Sequence, residues 1–192
     1  MIIITGTGRS GTSYMSKLLD KLGLNVLGSK AWLADKKAGY ENDSIMPVFN
    51  EFTNGNTQKV LDSIKNIPKC DVIKTPQFVN RDNPKAVNLF MEYYNPKLII
   101  MFRDFRATAN SFIKYNIIPG VGSKHGRLFG HNEIDLLTGI VKNRYNTFIN
   151  HLESEKIEYT IIDYDKMLND EDYAVTALSD LLPNINEDTI RK

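Results

Sequence analysis

Apolar and polar positions run along the chain in two rhythms. Short continuous apolar runs at 2–5, 72–73, 98–102 and 159–162 read as buried strands. Between them, apolar residues recur three and four apart. Met15, Leu18, Leu19 and Leu22 predict a helix directly after the first run, and residues 107–115 predict another. Leu137, Ile140, Val141, Tyr145, Phe148, Ile149 and Leu152 predict a long amphipathic helix. Tyr173, Ala177, Leu178, Leu181 and Leu182 line the inner face of a last one, which Pro183 stops. Strands alternating with helices predict an α/β fold in three layers, α/β/α, around a central and mostly parallel sheet. Two stretches follow neither rhythm. Residues 28–44 are polar and carry Trp32, Lys36, Lys37, Tyr40 and Glu41. Residues 119–130 hold glycines 120, 122, 126 and 130 together with Lys124, His125 and Arg127, the composition of a functional or a disordered loop.

Composition narrows the partners. The 192 residues suit one domain, 1–192, and 42% hydrophobic with 24% charged residues is a globular balance. Lys plus Arg is 24 against 23 Asp plus Glu, a net charge of +1. That argues against a nucleic-acid coat or a polybasic membrane binder and leaves room for a local cationic site. The single cysteine, Cys70, excludes an internal disulfide and a cysteine-rich zinc site. His125, His131 and His151 are scattered and form no metal-ligand pattern; His151 falls in the long helix, as a surface residue. No apolar run approaches the roughly 18–20 residues of a membrane span. Met1 leads straight into a strand, so a soluble, cytoplasmic protein is expected.

Gly6-Thr7-Gly8-Arg9-Ser10-Gly11-Thr12-Ser13 joins the first strand to the first helix. Such a turn aims backbone N–H groups and a helix N-terminus at one spot, which favours an oxyanion. The spacing from Gly6 to Gly11 fits the ATPase loop G-x-x-x-x-G-K-[ST], but Thr12 stands in place of the lysine that reaches the β and γ phosphates. The cation comes three places earlier, at Arg9. A second candidate anion site follows the strand at 98–102: Arg103, with Ser111 eight residues on. Arginine suits a bidentate grip on phosphate, and ligands of open α/β sheets bind beyond the carboxyl ends of the strands. The plainer alternative is a surface ion pair between Arg103 and Asp104.

Gly8, Arg9, Ser10, Gly11, Thr12 and Ser13 contain a string that resembles the 5′-phosphosulfate loop of sulfotransferases, [K/R]-[SAG]-G-[ST]-[ST]. These enzymes take a sulfuryl group from 3′-phosphoadenosine 5′-phosphosulfate (PAPS) and release adenosine 3′,5′-bisphosphate. Residues 103–111 resemble the same family's 3′-phosphate segment, R-[DN]-P-R-x-x-x-x-S, with Phe105 in place of the proline. Val72-Ile73-Lys74-Thr75-Pro76 is similar to the K-[ST]-P segment of carbohydrate-type members, and Gly39-Tyr40-Glu41-Asn42 to a G-Y-E segment of bacterial ones. Ile161 to Leu168 resemble a structural Y-E-D-L segment, with Asp165 for the glutamate.

The resemblance implies a P-loop nucleoside-triphosphate-hydrolase-like fold, donor contacts from the loop, Arg103 and Ser111, and no metal. It implies that Arg9 and Lys74 serve the transferring group. Cytosolic members use a histidine as base where this chain has Pro76, so Glu41 is the candidate base. The acceptor would be a small molecule or carbohydrate, framed by residues 28–44 and 119–130. The second of these would form the lid that cytosolic members build from a C-terminal loop. Two rivals stay open: a nucleotide kinase or NTPase with a degenerate loop, using Asp104 or Asp163 for Mg²⁺, and a non-catalytic nucleotide-binding protein. Oligomeric state has no signature in the sequence.

Overall fold

The computed structural model describes residues 1–28, 45–80, 84–115, 133–185 and 187–190. Among these residues are five strands: β1 (Ile2–Gly6), β2 (Val26–Leu27), β3 (Val72–Lys74), β4 (Lys97–Phe102) and β5 (Thr160–Asp163). They form one sheet in the order β2-β3-β1-β4-β5, with every pairing parallel. The described helices are α1 (Thr12–Lys21), α2 (Met46–Thr53), α3 (Thr57–Lys65), α4 (Gln77–Asn80), α5 (Ala86–Tyr94), α6 (Phe105–Lys114), α7 (Ile134–Ser154), α8 (Tyr164–Asn169), α9 (Glu171–Leu181) and α10 (Glu187–Ile190). None is long and apolar enough to cross a membrane.

The period-two geometry of strands sorts the sheet's side chains into two cores. Ile3, Ile73, Leu98 and Ile100 face α2, α3, α5 and α7, where Phe78 meets Phe49, Phe90 and Phe148 in ring contacts of 5.3–6.2 Å. Ile2, Ile4, Val72, Ile99, Met101 and Ile162 face α1, α8 and α9 through Met15, Leu19, Met167, Leu178 and Leu181. Both faces of β1 are therefore covered, and all five of its residues are buried. That is why parallel strands read as unbroken apolar runs. The three layers expected from the pattern are present.

The structure departs from the pattern at the edges. β2 has two residues, too few for any periodicity to register. Residues 45–94 hold α2 to α5, which the pattern left unassigned; α3 buries Val60 and Ile64 and is capped by Asn56, whose side chain accepts from the Lys59 N–H. His151 is not a simple surface residue. It is half-buried on α7, with its Nε2 2.8 Å from Asn88 Oδ1 on α5.

Connectivity places the functional edge. From β1 the chain crosses through α1, on one face of the sheet, to β2 on one side. From β4 it crosses through α6 and α7 to β5 on the other side, and α7 packs on the opposite face. β1 and β4 are neighbours whose connections diverge, the switch point beyond whose carboxyl ends α/β sheets bind ligands.

Candidate functional site

Residues 7–11 follow β1 at that switch point. Gly6 has φ 146°, which would turn a Cβ to within 2.5 Å of the Met101 carbonyl oxygen on β4, so the end of β1 requires glycine. Gly11 has φ 96° and lies against the Tyr164 ring, which a Cβ would enter. Arg9 itself is left-handed at φ 70°. A non-glycine residue in that region is held there by its surroundings. No side chain caps α1, whose N-terminus opens from Gly11. By contrast, Asp104, Asp163 and Asp170 cap α6, α8 and α9. An uncapped helix start preceded by a glycine loop is suited to an anion.

The second motif meets the first. The Arg9 Nε donates to Ser111 Oγ at 3.0 Å, and the Arg9 guanidinium carbon lies 4.2 Å from the centre of the Tyr115 ring. Burial lowers the Arg9 pKa from its ordinary value; Tyr115 and Tyr164 oppose this and nearby Arg103 adds to it. A partly dry cation beside a second cation is a place where an anion is favoured. Arg103 lies 5.0 Å from the centre of the Tyr164 ring. Its Nε is 3.5 Å from Asp165, an ion-pair separation that makes no hydrogen bond, so this buried N–H has no hydrogen-bond partner among the described residues. The Ser10 hydroxyl is likewise buried without a partner.

The alternative considered for Arg103, a surface pair with Asp104, is not formed. Asp104 accepts from the Ala107 N–H at 2.8 Å, and Arg103 turns to Asp165 instead. Asp163 accepts from the N–H groups of Asp165 and Lys166. Both carboxylates considered for Mg²⁺ are thus engaged as helix caps.

Lys74 is 3% exposed and its Nζ lies 3.1 Å from Ser13 Oγ. A lysine at a strand end is ordinarily on the surface. Here the end of β3 is held beside β1, where the Thr75 N–H donates to the Ile4 carbonyl and Thr5 Oγ1 to the Thr75 carbonyl, both at 2.8 Å. Lys74 is thereby carried to the first turn of α1. The residues singled out in the two motifs and at the end of β3 thus gather at one edge of the sheet. Glu41, His125, His131 and the segments 29–44 and 119–130 lie outside the described residues. Tyr115, Tyr164 and Asp165 complete the edge. Tyr115 carried no motif, while Tyr164 and Asp165 lay in a segment expected to be only structural.

The buried and unbonded Ser10 Oγ and Arg103 Nε are hydrogen-bond donors on the two motifs, and phosphate oxygens are acceptors.

No protein-family model matches the chain, and no curated protein matches its sequence. Solved structures match its fold. The sulfotransferase domain of the olefin synthase from Synechococcus PCC 7002 superposes with a TM-score of 0.53 at 14% identity, over 99% of this chain and 75% of that one. The sulfotransferase STF1 from Mycobacterium tuberculosis H37Rv gives 0.60 at 14% identity, over 99% of this chain and 69% of that one. The chain therefore has the fold that these bacterial sulfotransferases share.

Proposed function

We propose that this chain is a sulfotransferase that moves a sulfuryl group from PAPS to a hydroxyl, or an amine, of a small-molecule or carbohydrate acceptor. The observation that carries this reading is the meeting of the two motifs at one end of the sheet, Arg9 bonded to Ser111 with Arg103 beside them.

PAPS supplies a sulfur already joined through an oxygen to a good leaving group, the 5′-phosphate. Thr12 and Ser13, with the N–H groups opening α1, would hold that phosphate. Arg103 and Ser111 would hold the 3′-phosphate. Arg9 would stabilise the negative charge that gathers on the bridging oxygen as its bond to sulfur breaks. Fixed donors at a developing charge are usually the largest catalytic contribution. Lys74, buried beside Ser13, would balance the sulfuryl oxygens. Glu41 is proposed to take the proton of the attacking hydroxyl. The NTPase alternative loses support, since Thr12 replaces the loop lysine and Asp104 and Asp163 are engaged as caps.

Thermal unfolding tests the reading. Adenosine 3′,5′-bisphosphate in EDTA, at a hundred times its dissociation constant, is expected to add about 2.7 kcal/mol of stability. Stabilisation by ATP with Mg²⁺ in preference would overturn the proposal. Transfer of labelled sulfate from PAPS to a panel of sugars, lipids and small alcohols then identifies the acceptor. Bisphosphate binding with no transfer to any acceptor would favour a non-catalytic nucleotide-binding protein.

A further inference from the structure

α6 carries a polar stripe that runs past Ser111 in both directions. Residues four, seven and eleven positions after Asp104 fall on one side of a helix. They are Thr108, Ser111 and Tyr115. Two of the three already touch the phosphate loop: Ser111 accepts from Arg9, and the Tyr115 ring lies against its guanidinium. The neighbouring stripe, with Phe105, Ala109 and Phe112, packs instead with Leu137 and Val141 of α7. Thr108 lies one turn before Ser111 and one turn after the Arg103-Asp104 corner. Its backbone N–H donates to the Asp104 carbonyl at 2.8 Å, but its side-chain Oγ1 has no partner among the described residues, although the residue is 0% exposed. A buried hydroxyl without a partner is unfavourable, and valine would fill the same volume without that cost.

We infer that Thr108 is a further donor-site residue, whose hydroxyl donates to an oxygen of the phosphate held between Arg103 and Ser111. Three observations converge on it. The hydroxyl is unbonded, its stripe faces the loop, and the unbonded Arg103 Nε stands at the start of the same helix. A threonine hydroxyl is a neutral donor that rotates to suit its acceptor, so it adds a directed bond to a phosphate without adding charge. The inference rests on the proposed reading of Arg103 and Ser111 as the 3′-phosphate site.

Calorimetric binding of adenosine 3′,5′-bisphosphate and of adenosine 5′-phosphate, to wild type, Thr108→Val and Thr108→Ser, provides the test. Thr108→Val removes the unbonded hydroxyl and keeps the volume, so it should fold at least as stably as wild type. It is expected to weaken the bisphosphate by about tenfold or more, as for a hydrogen bond to a charged group. Adenosine 5′-phosphate should be unaffected, and Thr108→Ser should restore the bisphosphate to within about twofold. Wild-type affinity for the bisphosphate in Thr108→Val, or equal losses for both nucleotides, would overturn the inference while leaving the donor site standing. A wild type that does not prefer the bisphosphate to the 5′-phosphate would remove the donor-site reading and this inference together.

Discussion

At the carboxyl ends of β1 and β4, Ser10 Oγ, Arg103 Nε and Thr108 Oγ1 are buried with no hydrogen-bond partner among the described residues. At the amino ends of the same strands, the polar groups answer one another. Lys97 Nζ donates to the Leu181 carbonyl at 3.0 Å, and the Ile2 and Lys97 N–H groups donate to the carbonyls of Asp71 and Met1. The Asn25 N–H donates to the Asp71 carboxylate at 2.8 Å. Ser179, near the end of α9, departs from this contrast, since its buried hydroxyl also lacks a partner. The amino edge carries a cleft of about 770 Å³ lined by Met91, Pro96, Lys97, Ile157, Tyr159 and Leu181 among others. A buried donor left without a partner costs about 1–3 kcal/mol. Several of them beside two arginines are what the proposed anion site would require, whereas at the amino edge the Lys97 ammonium is already engaged.

The strongest way to break this comparison is Arg9→Ala. If the carboxyl edge is catalytic, turnover should fall about 10²–10³-fold, as when a donor to a developing negative charge is removed. Sulfate transfer measured at saturating donor would show it, and a loss confined to KM would mean that Arg9 only binds. Gly11→Ala should come next. The new Cβ enters the Tyr164 ring and its φ of 96° is strained for alanine, so a stability loss of roughly 2–4 kcal/mol is expected in denaturant unfolding. An unchanged midpoint would show that Tyr164 moves aside freely.

At the amino edge, Lys97→Met should cost about 1 kcal/mol of stability, the net worth of one hydrogen bond, and leave bisphosphate affinity as it was. A change in affinity there would blur the division between the two edges. The smallest effect is expected at Asp165→Asn. Its carboxylate is 44% exposed and only 3.5 Å from Arg103, so the pair itself contributes little. Removing a negative charge beside an anion site should nonetheless tighten the bisphosphate by about twofold to fivefold in low salt. Weaker binding would mean that Asp165 is needed to orient Arg103.

Much of the site was legible because its chemistry is local in sequence. The loop at 6–13 needs contiguous glycines and hydroxyls, and Arg103 and Ser111 sit on one corner and the helix that follows it. The Tyr115 ring also lies against Arg9. Nothing in its own neighbourhood marks it, because its contact joins residues 106 positions apart along the chain. The carboxylates were ambiguous for another reason. An aspartate after a strand can ligate a metal or cap the next helix, and Asp104 and Asp163 both turn out to cap. Residues 45–94 were obscure because their helices are short, and in α3 only Val60 and Ile64 are fully buried.

The sequence by itself determined the layering, since unbroken apolar strands require cover on both faces, and it marked the two motifs proposed to bind anions, since the residues of each lie close together along the chain. Only the tertiary structure decided the strand order that sets β1 beside β4. With it came the burial of Lys74, the turn of Arg103 from Asp104 to Asp165, and the unbonded hydroxyl of Thr108. Each of these depends on which distant segments share an edge, and parallel strands joined by long crossovers leave that choice to packing.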